Sequence, residues 1–145
     1  MLVDVINTKI LKLLQQNARL SNAEIGRQVG ITSPAVSERI KKLEDAGIIE
    51  GYTAKVSYIM VGNHLKAIIT LRAFMGKLKP FLEKVKTYDE VINCYRITGN
   101  ENIVMEVVLK NQQHLERLID DLITYGECKT QIVLSKVVDN NPIKA

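Results

Sequence analysis

Within five residues, Gly30-Ile31-Thr32-Ser33-Pro34, the chain stops one helix and starts another. Glycine takes up the left-handed backbone conformation at a helix end without a side-chain clash. Thr32 or Ser33 supplies an oxygen to cap the next first turn. Pro34 fits that turn because its missing amide has no partner to lose. The segments on either side are short. The first is opened by Ser21 and Glu24, spaced as a capping box, and offers Ala23, Ile25 and Val29 for packing. The second carries Val36, Ile40 and Leu43 at helical spacing and ends near Ala46, with Gly47 terminating it. Neither is long enough to persist on propensity alone. Two helices joined by so tight a turn are a helix-turn-helix candidate.

An earlier helix, about Asp4 to Gln16, presents Ile6, Ile10, Leu13 and Leu14 as one apolar stripe, with Asp4 as its cap. After the third helix, "IIEGYTAKVSYI" alternates weakly about a glycine, the pattern of a short two-stranded wing. The rhythm changes near "VGNHL", which places a boundary between residues 1–62 and 63–145. The second segment reads as strand (65–74), helix ("KLKPFLEKVKTY"), strand (91–98), strand (103–110), helix ("NQQHLERLIDDLITYG") and a last strand in "KTQIVLSKVV". That βαββαβ order builds a four-stranded antiparallel sheet with both helices on one face, the ferredoxin-like arrangement. The expected fold class is thus α+β: a winged helix-turn-helix, then a ferredoxin-like domain.

Two helices cover one face of such a sheet, yet the strands are apolar on both alternations. Ala67, Ile69 and Leu71 oppose Ile68 and Phe74; Ile103, Met105 and Val107 oppose Val104 and Val108. A sheet with one wet face should alternate cleanly. The expected cover for the second face is another copy of the chain.

The net charge of +4 is spread evenly, so any case for nucleic acid rests on where the cations point. Cys94 and Cys128 form neither a CxxC pair nor a metal spacing and read as packed apolar residues, which suits a reducing cytoplasm. The early acid and the absence of a cleavage pattern argue against a secretion signal, and no apolar run is long enough for a membrane span. His64 and His114 are the only histidines. Neither belongs to a recognisable catalytic or metal-binding pattern, so no catalytic residue, metal or cofactor is expected. An RNA-recognition sheet would need aromatic side chains on its central strands, and "IVMEVVL" has none.

On the third helix the side opposite Val36, Ile40 and Leu43 holds Pro34, Glu38, Lys41 and Asp45, flanked by Ser37 and Lys42. In a helix-turn-helix the early residues of the second helix reach base edges and basic residues hold phosphates. The expected DNA-binding set is Ser33, Pro34, Ser37, Glu38, Arg39, Lys41 and Lys42. Two destinations are open to Arg39, near the apolar side: round to DNA, or onto an acid inside the domain.

"VDVINTKILKLLQQNARLSNAEIGRQVGITSPAVSERIKKLEDAGIIEGYTAKV" closely resembles the winged helix-turn-helix of the Lrp/AsnC family of regulators, and the βαββαβ segment resembles that family's ligand-binding domain. The resemblance implies a cytoplasmic transcription regulator that binds double-stranded DNA. It implies homodimers formed through the sheets, assembling to a higher oligomer such as an octamer, and a small-molecule effector, often an amino acid, bound between subunits. The family's ligand loop, typically Gly-Asp-x-Asp, corresponds to Gly99-Asn100-Glu101-Asn102. Asn100 and Asn102 replace acids with neutral amides, which removes an anionic partner for a ligand ammonium group; Glu101 is the substitute at hand. Thr98 and Thr130 complete the expected effector site. An architectural DNA-binding protein without an effector is the alternative.

Overall fold

The computed structural model describes residues 3–145 and divides them into two compact units, one of residues up to Lys55 plus Val138–Ala145, the other Val56–Val137. The division expected at residue 62 falls inside the second unit, and the last eight residues join the first.

The first unit contains α1 (Val5–Gln16), α2 (Asn22–Val29) and α3 (Ser33–Asp45). Each helix begins on a side-chain cap. Asp4 accepts from the Asn7 amide, Ser21 and Glu24 form the reciprocal box, and Thr32 accepts from Ala35. Each such cap is worth about 1 kcal/mol. Gly30 closes α2 at φ 81°. Ile10, Ile25 and Val36, one from each helix, are fully buried against one another. The expected wing hairpin is not paired: residues 50–57 carry no strand. Two of its side chains are tied down instead, Tyr52 donating to Glu44 at 2.8 Å and Lys55 pairing with Asp139.

The second unit contains β1 (Leu65–Ala73), α4 (Leu78–Lys84) continued by a 3-10 turn, β2 (Val91–Arg96), β3 (Ile103–Leu109), α5 (Gln112–Leu122) and β4 (Gly126–Ile132). The antiparallel sheet has the order β2-β3-β1-β4. Ala67, Ile69, Leu71, Ile103, Met105, Val107 and Leu109 are buried on one face with Phe81, Val85, Leu115, Leu118 and Leu122 from the helices. His114 clips the start of α5 to the segment before β2. Its Nδ1 accepts from the Lys110 amide at 3.1 Å and its Nε2 lies 2.8 Å from Glu90. Since Nδ1 accepts a backbone N–H, the proton of the neutral ring is on Nε2 and is donated to Glu90.

Three expectations are corrected here. The last strand begins at Gly126 and ends at Ile132, earlier than "KTQIVLSKVV" suggested. Gly126 lies opposite Ala73, where an added Cβ would come within 2.4 Å of the Arg72 carbonyl. The backbones thus meet at a residue that pattern reading passes over. Phe74 lies beyond the end of β1, its amide bonded to Tyr125, and is not a face residue of the strand. The open face is mixed, not uniformly apolar. By register, Lys66, Ile68, Thr70 and Arg72 share it with Val104, Glu106, Val108, Glu127, Lys129 and Tyr95. Ile68, Val104 and Val108 form its half-buried centre. Lys66 pairs with Glu106 at 3.6 Å and lies beneath the Tyr58 ring, 5.8 Å from its centroid.

Gly126→Ala is expected to destabilise the second unit by about 1–3 kcal/mol through the forced shift of β4 from β1. Chemical denaturation with hydrogen exchange at β4 amides measures it; an unchanged midpoint would mean that this edge yields freely.

Candidate nucleic-acid interface and effector site

The turn between α2 and α3 is folded tightly onto α2. The Gly26 carbonyl accepts from both Gly30 (2.8 Å) and Ile31 (3.1 Å), and a Cβ on Gly26 would lie 2.5 Å from the Ile31 oxygen. Gly26 is therefore as necessary to the turn as Gly30. Helical periodicity did not single it out, since a glycine inside a helix looks like a weak position.

The α3 face behaves as its spacing requires. Val36 and Leu43 are buried, and Ser33, Pro34, Ser37, Glu38, Lys41 and Lys42 are exposed together on the outer side. The two lysines are held along the helix, Lys41 to Asp45 at 3.2 Å and Lys42 to Glu38 at 3.1 Å, all four side chains at least 64 % exposed. Exposed pairs of this kind contribute only about 0.3–0.5 kcal/mol, so they orient the cations without locking them.

Arg39 takes the inward destination. Its Nη1 donates to Asp4 Oδ2 at 2.8 Å and to Asn7 Oδ1 at 3.1 Å. Asp4 caps α1 with one oxygen and holds α3 with the other. The Arg39 hydrogen bond is the main cause that lowers the Asp4 pKa, followed by the Asn7 amide. Farther along α3, Tyr52 is bonded to Glu44, and partial burial with the adjoining carboxylate pushes its hydroxyl up to about 12.

In the second unit the β2–β3 connection is a turn in which Thr98, Gly99 and Asn100 are exposed. Its other two candidates already have partners. Glu101 accepts from Lys129 at 2.8 Å, the main cause holding its carboxyl below the ordinary range. The Asn102 side chain accepts from the Ala73 amide at 2.9 Å, and its own amide donates to Leu71. Asn102 thereby fixes the turn to the end of β1. Thr130 pairs with Ile69 and belongs to the helix-covered face, whereas Lys129, absent from the expected site, is on the open face and reaches the turn. The strand alternation carries that distinction only once the strand's pairing register is known. At the other end of the sheet is a cavity of about 450 Å³ lined by His64, Leu65, Lys110, Gln112, Leu115 and Ile132 among others. Among the described residues no group of three or more His, Cys, Asp or Glu side chains is placed to hold a metal, and no helix is long and apolar enough to cross a membrane. Cys94 and Cys128 are half-buried against the core with raised pKa values, because burial disfavours the thiolate.

A winged helix-turn-helix DNA-binding family matches residues 3–50, and the Lrp/AsnC ligand binding domain matches residues 66–143. The uncharacterised HTH-type transcriptional regulator YezC of Bacillus subtilis is 35% identical over 133 residues, 92% of this chain and 94% of its own. LrpC of B. subtilis has a similar structure, with a TM-score of 0.90 and 27% identity over 97% of this chain and all of its own. The transcriptional regulator NMB0573 of Neisseria meningitidis, solved in complex with L-Met, gives a TM-score of 0.92 and 25% identity over 97% of this chain and 96% of its own. The chain belongs to the Lrp/AsnC family of transcriptional regulators, a helix-turn-helix joined to a ligand-binding domain.

Asp4→Asn keeps a cap oxygen but removes the charge facing Arg39. Because the folded pKa of Asp4 is depressed, its contribution is complete above the unfolded value and lost as pH falls through the folded one. The variant should be less stable than the parent at neutral pH, and the two should converge as pH falls below the ordinary aspartate range. Denaturation curves across pH check this; a gap that persists in acid would show a role for Asp4 other than its charge.

Proposed function

We propose that the protein is a cytoplasmic, sequence-specific DNA-binding regulator acting as a homodimer or higher oligomer, an octamer being the expected size. Each dimer presents two copies of α3 to successive major grooves of an imperfect palindrome, with half-sites about one turn, or a multiple, apart. The observation that carries this reading is the single exposed face on which Ser33, Pro34, Ser37, Lys41 and Lys42 stand together, directly after a tight turn. Ser33 and Ser37 are small enough to bring the backbone near base edges, Pro34 and Glu38 flank them, and Lys41 and Lys42 exchange their carboxylates for phosphates. Arg39 positions α3 through Asp4 and Asn7. The open sheet face, with Ile68, Val104 and Val108 at its centre, is the surface on which a second copy is seated.

The small-molecule effector, an amino acid in the first instance, is placed at the Gly99–Asn102 turn between subunits. The L-Met complex of the Neisseria relative supports this reading. Glu101 serves the ligand ammonium only by leaving Lys129, and Asn102 stays with β1. These same pairings favour the second reading, an architectural DNA-binding protein that needs no effector. A thermal-shift screen against the twenty amino acids separates the two. A ligand selective for the native state raises the melting temperature, and no shift from any of them supports the second.

Lys41→Ala should weaken binding to all duplexes alike and reduce the slope of log affinity against log salt by about one. A change of base preference alone would remove Lys41 from the phosphate-binding set. Ile68→Asp should yield monomers with reduced DNA affinity; an unchanged sedimentation profile would refute assembly through the open face.

A further inference from the structure

The chain enters the second unit at Val56 and is back in the first by Val138. In topology the second unit is an insertion between two points of the first. Those two points are stapled together. Lys55, the last residue before the excursion, pairs with Asp139, just after the return. The chain then turns at Asn140, the one non-glycine residue with positive φ among the described residues, at 48°. Asparagine adopts that conformation more readily than most residues. Pro142 follows, half-buried, and stiffens the segment.

The turn delivers Ile143 to the last turn of α1. There Gln15 holds its backbone in both directions. Oε1 accepts from the Ile143 amide at 2.7 Å, and Nε2 donates to the Ile143 carbonyl at 3.1 Å, across 128 residues of sequence. A primary amide matches a peptide unit donor for acceptor. Ile143 as a whole is 81 % exposed, and the contact that holds it is to its backbone. Such a contact is specific in position yet weak enough to release, since each hydrogen bond adds little net stability.

We infer that Val138–Ala145 is a second tether, docked on the DNA-binding unit through Gln15 and guarding the first crossing at Lys55. The tail has two states, docked and free. α1 carries the receptor for the tail at its C-terminal end and Asp4, which holds Arg39 of α3, at its N-terminal end. A pull on the chain beyond β4 therefore meets the same helix that positions α3. This consequence rests on the DNA-binding role proposed for α3, whereas the docking itself does not.

The test compares the full chain, Gln15→Ala, Gln15→Glu and a chain ending at Val137. Gln15 is exposed, and alanine suits a helix, so folding is preserved. Amide hydrogen exchange should find the Ile143 amide protected in the full chain and its protection reduced about fivefold in Gln15→Ala. Gln15→Glu, which still accepts from that amide, should retain most of the protection. Tryptic cleavage after Lys55 should be faster in both Gln15→Ala and the shortened chain. An Ile143 amide exchanging at the free-peptide rate in the full chain, or cleavage after Lys55 at one rate in all four chains, overturns the tether. Duplex binding measured alongside reports separately on the proposed function, because neither rate depends on DNA.

Discussion

Three side chains hold the DNA-binding unit together, and everything asked of α3 depends on them. Ile10, Ile25 and Val36 come one from each helix and exclude water from one another. With Leu13, Leu14, Val29 and Ile40 packed around them they form the wall that α2 and α3, eight and thirteen residues long, require, since helices this short do not persist alone. With so small a core, polar contacts decide orientation. Gly26 lets the turn close on α2, and Arg39 fixes α3 against the start of α1 through Asp4 and Asn7. The core supplies cohesion, and the arginine bracket supplies the angle at which the outer face is offered.

The second unit solves the same problem with a sheet. One alternation of β1 and β3 gives α4 and α5 a continuous apolar wall. The other alternation is a compromise: Ile68, Val104 and Val108 share it with the Lys66–Glu106, Arg72–Glu127 and Lys129–Glu101 pairs. Lys66, 9 % exposed in its side chain, sits under Tyr58 and beside Glu106. A nearly buried pair of this kind adds little net stability, because desolvation offsets attraction. What it does fix is position within the chain, tying Lys66 on β1 to Glu106 on the neighbouring β3 across the open face.

How much of this was legible in the sequence follows from the range of each interaction. Caps, stops and helix faces are written within four residues of one another, so Asp4, Ser21, Gly30 and the exposed row on α3 could be read directly, and the cap of α3 narrowed to Thr32 or Ser33, of which the fold uses Thr32. The element order could be read because periods of 2 and 3.6 differ over a few residues. What escaped was set by distant partners. β4 starts where Gly126 can approach Arg72. Asn102 proved to be a brace because Ala73 offers an amide opposite it, and Lys129 joined the turn because register placed it, not Thr130, on the open face. The wing segment, without a partner strand, is held by Tyr52 and Lys55. Arg39 was the instructive case. Its helical angle allowed two destinations, and only the position of Asp4 on another helix decides between them.

The charge arrangement on α3 has a consequence for how such a regulator gains affinity. Lys41 and Lys42 are each matched by an acid one turn away on the same exposed face. In the proposed complex, transferring the lysines to phosphate costs only the few tenths of a kcal/mol that each exposed pair contributes. The transfer, however, leaves Glu38 and Asp45 facing a polyanion. One helix therefore gains little from charge, and the chain's net +4 adds only a weak long-range pull. On the proposed reading, discrimination falls to Ser33, Ser37 and the closeness with which a slim helix start seats in the groove. In the proposed oligomer, affinity falls to the number of such helices engaged at once, each added copy binding at the effective concentration set by the others. In that arrangement small changes in the spacing of copies alter occupancy strongly, because a helix that no longer meets its half-site withdraws its whole multiplying factor.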